Sequence, residues 1–481
     1  MTLRLSIGRS MRAALCAALT LSWMLGQAAP AYAQSDGGIT VLRDTEIEET
    51  LHADADPVLE AAGVDPKSIQ VVLIGSKDLN AFAAPKVMAV FTGLIVEADT
   101  PNELIGVMAH ETGHLAGGHA ARSDDMMRAG MRPMILTMGL GILAMLLGAP
   151  DAGAMLMANS QYFGQLGLLG YSREQEARAD QAALGFLEKT HQSAKGLVDF
   201  FDKFRYQEVF AQAKRFPFFQ SHPLSSERIE LLRARAESLP SYNVVDTPEA
   251  IARHRVMQAK IQGFVNPQGA LVKYSDKDTG FPARYARAIA YYQLKDPERA
   301  LKLLEGLLTE NPDNPYLWEL KGQILFDYGR IPEAEAPQRK SVELKPDAPL
   351  LHVNLALTLV SLNDPKKLDE GIHELKMALS REGDNSVAWR ILAQAYNTKG
   401  EDGMARLAQA EAFFADGDKQ QARVFAMRAR DMLTHGTPEW RRATDIVLTS
   451  DPSRDDLKAV GGPGGGDLAP SAPAHLSPAP S

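Results

Sequence analysis

Two histidines four residues apart, with a glutamate directly after the first, constrain this chain more than any other feature: His110-Glu111-Thr112-Gly113-His114. At 3.6 residues per turn the two imidazoles lie roughly 40° apart on one helix face and can reach a single cation. Glu111 then sits where it can take a proton from a water at that cation. The segment must be helical, and another element must supply a further ligand. A pentapeptide of this kind also arises by chance, so its context has to support it.

The context does. Thr100 predicts a helix N-cap, Pro101 suits the first helical position and Glu103 completes a capping box. Leu104, Val107 and Met108 continue the helix into the motif. Upstream, the apolar runs Ile69–Ile74 and Val87–Phe91 predict two strands. The second, Val87-Met88-Ala89-Val90-Phe91, is a candidate to hold an extended peptide by edge pairing.

A third ligand has to come from elsewhere. His119 sits well off the face shared by His110 and His114 and reads as a helix-end or structural histidine. Residues 172–188 show a helical pattern that places Glu176, Asp180 and Ala183 on one face. Alanines at 177, 179, 182 and 183 would let that helix pack closely on the first. Glu176 could complete a His-His-Glu set, and Asp180 could accept a proton from the non-ligating nitrogen of a ligand histidine. The same stretch also reads as a solvated acidic face, because Glu174 is equally acidic. His222, just before Pro223, could cap, pack, act as a fourth ligand or donate to an oxyanion. Arg228 more simply secures its loop through a carboxylate or carbonyl.

The ends of the chain set the class. Arg4, Arg9 and Arg12 precede an apolar stretch, Ala13–Leu25, and Ala31-Tyr32-Ala33 offers a small-x-small cleavage pattern. Residues 1–33 therefore read as a signal peptide, and export with this kind of signal suggests the bacterial periplasm. Cys16 lies inside it, so the mature chain would lack cysteine, which excludes thiol catalysis and thiolate metal sites. Removing the three arginines takes the formal charge from -9 to -12, with no basic cluster to hold a nucleic acid. Residues 451–481 end in a Gly, Pro, Ala and Ser tail expected to be disordered. Between the histidine motif and the helix of Glu176, residues 131–171 form an apolar insert. Its core, Met134–Ala149, is 16 residues long, shorter than a usual membrane span. It reads as a lid-like hairpin, a membrane-surface contact or a short span.

From Phe281 a 34-residue period takes over. Ala288, Gly322 and Ala356 recur as small positions, Tyr291, Leu325 and Leu359 as large ones, and Pro312 and Pro346 mark unit boundaries. Small residues where paired helices meet resemble tetratricopeptide repeats, which stack into a concave protein-binding surface.

Three blocks together resemble gluzincin zinc metallopeptidases of the BepA/HtpX type: His110–His119 as HExxHxxxxH, Glu176-Ala177-Arg178-Ala179-Asp180 as ExxxD, and Ser221-His222-Pro223 with Arg228 as HPxxxxR. Asn80-Ala81-Phe82 matches a further segment of that family, after which a strand borders the substrate cleft. The resemblance implies one zinc ion held by His110, His114 and Glu176, Glu111 as catalytic base, Asp180 in the outer shell and His222 as a possible restraining ligand. It also implies an order of signal peptide, peptidase and repeats. The expected architecture is α+β but mainly helical: a zincin-type peptidase domain with a small sheet over 34–245, a connector helix over 246–280, and an all-α repeat solenoid over 281–450. The expected function is a periplasmic endopeptidase acting on misfolded or stalled envelope proteins, with repeats that engage clients or outer-membrane assembly machinery and with possible peripheral membrane contact. A chaperone-like assembly factor with a latent site is the alternative. An aminopeptidase or esterase on the same scaffold is a third class.

Overall fold

The computed structural model describes residues 40–84, 86–118, 160–204, 222 and 225–461. The expected signal peptide, the apolar stretch 134–149, His119 and residues 462–481 lie outside the described residues. Contacts divide the chain into two compact units that meet in sequence at Leu303 and Leu304.

The first unit opens with strand β1 (Thr40–Leu42) and helix α1 (Thr45–Ala61), the latter capped by Asp44. Strands β2 (Gln70–Gly75), β3 (Ala81–Ala84) and β4 (Val87–Phe91) complete a sheet of order β1-β2-β4-β3. β2 and β4 run parallel, with Val71 opposite Met88 and Leu73 opposite Val90; the outer pairings are antiparallel. Side chains alternate as the pleat requires. Met88 and Val90 enter the main core, while Ala89 and Phe91 pack with Ile74 on the opposite face.

This order corrects one expectation. β4 is an inner strand: β2 takes one of its edges and β3 the other, so Val87, Met88, Ala89, Val90 and Phe91 have no main-chain edge left for a peptide. A continuous apolar run is the mark of a strand buried on both faces, and that is where the sheet uses it. Among the described residues β3 pairs only with β4, so it is the edge strand on that side of the sheet.

Helix α2 (Thr92–Glu97) leads into α3 (Pro101–Gly117), the motif helix. Thr100 caps α3 by accepting from the Glu103 N–H at 3.2 Å, as expected. The reciprocal arm of the box reaches one residue further back, from Asp99 N–H to Glu103 Oε2 at 2.9 Å. Gly118 ends α3 in the left-handed region at φ 62°. Helices α4 (Ser160–Lys189) and α5 (Lys195–Phe204) pack on it, followed by α6 (Ser226–Glu237), α7 (Pro248–Val265), α8 (Pro267–Lys273), α9 (Phe281–Gln293) and α10 (Pro297–Glu310). Asn102 ties the start of α3 to α5, its Nδ2 donating to the Ser193 carbonyl and its Oδ1 accepting from Gly196 N–H, both at 2.7 Å. α9 joins this unit through Tyr285, whose hydroxyl donates to Glu46 at 3.0 Å beside the buried Lys260 ammonium. No helix among the described residues is long and apolar enough to cross a membrane.

The second unit is helical throughout its described residues: α11 (Pro315–Asp327), α12 (Ile331–Leu344), α13 (Pro349–Ser361), α14 (Pro365–Arg381), α15 (Ser386–Lys399), α16 (Asp402–Ala415), α17 (Lys419–Met432), α18 (Pro438–Thr449) and α19 (Arg454–Gly461). The small positions fall at helix crossings. A Cβ on Gly322 would lie 2.6 Å from Gln338, and Ala356 is fully buried next to Gly371.

Candidate metal centre

Three helices and His222 build the site. α3 presents His110 and His114, one turn apart, and their Nε2 atoms lie 3.1 Å from each other. α4 brings Glu176, with its carboxylate oxygens 3.4 Å from His110 Nε2 and 3.4 Å from His114 Nε2. His222 Nδ1 approaches to 3.2 Å from His110 Nε2 and 3.2 Å from Glu176. One donor atom from each of these four residues lies within 4.8 Å of all the others. Glu174, the competing carboxylate, faces outward and pairs with Arg178.

Those spacings fit a cation. Tetrahedral metal–nitrogen bonds of about 2.0–2.1 Å separate ligand atoms by about 3.3 Å. Hydrogen bonding explains the cluster poorly, because His110 Nε2 faces two other ring nitrogens and one N–H can be directed at only one of them. Three imidazole nitrogens and a carboxylate, with no thiolate, form a donor set suited to a divalent transition metal.

Asp180 and Arg228 hold the ligands from behind. Asp180 Oδ1 lies 2.9 Å from His110 Nδ1, off the line of an N–H in the ring plane, so this is a close pairing rather than an aligned hydrogen bond. It still favours the proton on Nδ1, so that Nε2 is the nitrogen a cation would take. Arg228, on α6, donates twice to Asp180 at 2.7 and 2.8 Å and reaches Glu176 at 2.9 Å. Its guanidinium lies 5.2 Å from the Phe201 ring centre, and the same ring meets His110 edge-on at 6.0 Å.

Electrostatics follow from this packing. Burial would raise Asp180, but Arg228 outweighs it and holds the carboxyl down at about 2. Burial likewise opposes ionisation of Glu176, yet His110, His114 and His222 keep it well below the usual carboxylate range. Burial works against a proton on His110, and Asp180 and Glu176 overcome it, raising the group to about 9. Burial lowers His114 and His222. Glu111 differs from the other carboxylates. Burial pushes it up to about 7, with the neighbouring histidines and the Ala83 backbone opposing.

Helix spacing is set by glycine. A Cβ on Gly113 would fall 2.7 Å from the Ala179 carbonyl oxygen and 2.9 Å from its Cα. Ala179 and Ala183 are fully buried, Ala182 is half-buried and Ala177 is exposed, so two of the four small residues serve the interface. Nothing in the motif spacing marks Phe201 or the Gly113 contact as part of the site.

Residues 42–236 match the profile of Peptidase family M48. The chain carries an M48 metallopeptidase domain. Residues 285–349 match a tetratricopeptide repeat, so the M48 domain is followed by helical repeats. The chain is 24% identical to the beta-barrel assembly-enhancing protease of Yersinia pestis over 73% of this chain and 72% of that protein. It is 26% identical to the putative beta-barrel assembly-enhancing protease of Vibrio cholerae over 76% of each. Metalloprotease LoiP of Escherichia coli shares 33% identity over 33% of this chain and 60% of its own length.

Proposed function

We propose that the chain is a zinc-dependent endopeptidase of the cell envelope that acts on misfolded or stalled outer-membrane proteins. In this reading His110, His114 and Glu176 hold the ion, and the repeats bind clients or the assembly machinery. The convergence of those three side chains beside the buried Glu111 carboxylate carries the proposal. The client class is supported by relatives named for β-barrel assembly, and export to the periplasm by the character of residues 1–33.

Bound zinc would supply Lewis acidity, making water nucleophilic at neutral pH and polarising the scissile carbonyl. Glu111 accepts the proton of the attacking water and returns it to the leaving amine. A carboxyl balanced near neutrality can do both. Asp180 and Arg228 keep His110 and Glu176 in place through that exchange. An extended substrate is held along the outer edge of β3, where main-chain pairing asks little of its sequence.

One observation favours a second, compatible reading. His222 stands where a fourth ligand would, and its Nε2 lies 3.5 Å from Glu111. Held there, it takes the place of the attacking water, and the chain acts as an assembly factor with a latent site until His222 moves.

The test is cleavage of an unfolded protein by wild-type chain and Glu111→Gln, with zinc measured in both. Glu111→Gln should lose about 10²–10⁴-fold in rate with zinc retained. Equal rates would remove Glu111 from its role. A His222→Ala variant that neither gains activity nor changes its metal geometry would remove the restraint.

A further inference from the structure

The fourth residue of the first helix in successive repeats does one job in three places. Trp318 on α11 donates its indole N–H to the Pro312 carbonyl at 2.7 Å, and Trp389 on α15 donates to the Gly383 carbonyl at 2.7 Å. Each closes the turn six residues behind it. In the unit between them the position is His352, and its Nε2 meets the Pro346 carbonyl at 2.9 Å in the same way. A histidine has a second ring nitrogen. Here Nδ1 lies 2.5 Å from the Glu374 carboxylate on α14, and the side chain is 6% exposed.

Those two partners fix the proton count. A carbonyl can only accept, so Nε2 carries hydrogen; an ionised carboxylate can only accept, so Nδ1 carries one too. If the proton sits on Glu374 instead, the pair still holds one more than a neutral imidazole beside a carboxylate. The equivalent place on the second helix holds no free partner for a ring nitrogen in the tryptophan units. Lys340 takes the place equivalent to Glu374 opposite Trp318 and pairs with Glu343, whereas Glu411 opposite Trp389 is bound by Arg442.

We propose that His352 and Glu374 form a proton-operated clamp on the middle repeat, pinning α13, α14 and the turn before α13 only while the extra proton is bound. The charged groups bearing on His352 are Glu374, which favours the proton, and Arg381 on the same helix, which opposes it from its bond to the Asp347 carbonyl. Glu374, aided by the Pro346 carbonyl, outweighs burial and Arg381, and raises His352 above its ordinary value of 6.5. The stabilisation is therefore complete below about pH 6.5 and is withdrawn as pH climbs through the folded-state value. The tryptophan units have no such dependence.

Hydrogen exchange on the full-length protein between about pH 6 and 9, corrected for intrinsic rate, tests this. Protection over 345–381 should fall by at most tenfold per pH unit within that window, while 312–344 does not follow. His352→Trp, which restores the residue of the neighbouring units, should flatten the response, and Glu374→Gln should do the same. The same pH response in wild type and both variants would overturn the clamp. Ring resonances of His352 that titrate at or below the ordinary histidine value would overturn it too, and that measurement needs no variant.

Discussion

At the scale of single residues, the centre is defined as much by a missing side chain as by those present. Gly113 lets α4 approach until backbone meets backbone, and Glu176 and Asp180 ride on that helix. Gly106, two turns earlier, does the same against Leu197 of α5, which carries no ligand and meets the site only through Phe201, so it is the milder comparison. Gly106→Ala and Gly113→Ala should each lose about 1–3 kcal/mol of stability from overpacking. Only Gly113→Ala should also weaken cation binding, by about 10–100-fold, read by chelator competition on the folded protein. Identical affinities in the two variants would show that the α3–α4 spacing does not tune the site. His110, Glu111 and His114 are legible in sequence because their geometry is local, fixed by one helical turn. Glu176 is legible only with a family pattern in hand, since its rival Glu174 differs in nothing but the side of the helix it faces. Phe201 is not legible, because its contacts with His110 and Arg228 exist only after three helices pack.

At the scale of elements, the motif helix and its cap follow directly from Thr100, Pro101 and Glu103. The sheet is harder to read. Strand existence is written in the apolar runs, but strand order depends on which edges find partners, and no single strand encodes that. β4 is the expected place for a peptide because it follows the Asn80-Ala81-Phe82 segment. Its continuous apolar run suits an inner strand, and the short Ala81–Ala84 segment takes the edge. Phe82 on that edge is 37% exposed and packs edge-on against Phe91 at 6.2 Å. Phe82→Ala should raise KM for an unfolded protein several-fold and leave kcat and metal content unchanged. A loss confined to kcat would place the substrate elsewhere.

At the scale of the molecule, two periodicities specify two kinds of structure, and the change near Phe281 is plain in the sequence. Contacts group α9 with the first unit all the same, through Tyr285, Glu46 and Lys260. A repeat-like pattern and a foothold in the neighbouring core are not exclusive, because one helix has more than one face. Global stability should carry the mark of another buried acid, Asp54. It is 4% exposed, its Oδ2 lacks a hydrogen-bond partner among the described residues, and Arg253 lies 3.7 Å away. Burial raises it to about 7, with Arg253 opposing. Its folded-state value lies above the ordinary 3.8, so the folded protein holds this proton more tightly and loses stability as pH rises from about 4 to 7. Asp54→Asn should leave unfolding unchanged below about pH 4 and raise Tm by about 3–6 °C at pH 8. A lower Tm at pH 8 would mean that the Arg253 pairing outweighs the burial.

The backbone contact at Gly113 also decides how forgiving the cage can be. Side chains adjust by turning about single bonds, whereas two helix backbones in van der Waals contact have almost no slack. The separation of the two helix backbones is thus set by covalent geometry, and it limits how far the Glu176 carboxylate can retreat from the imidazole pair. Such a limit would place part of the discrimination among metals in the closeness of two helices rather than in the identity of any ligand.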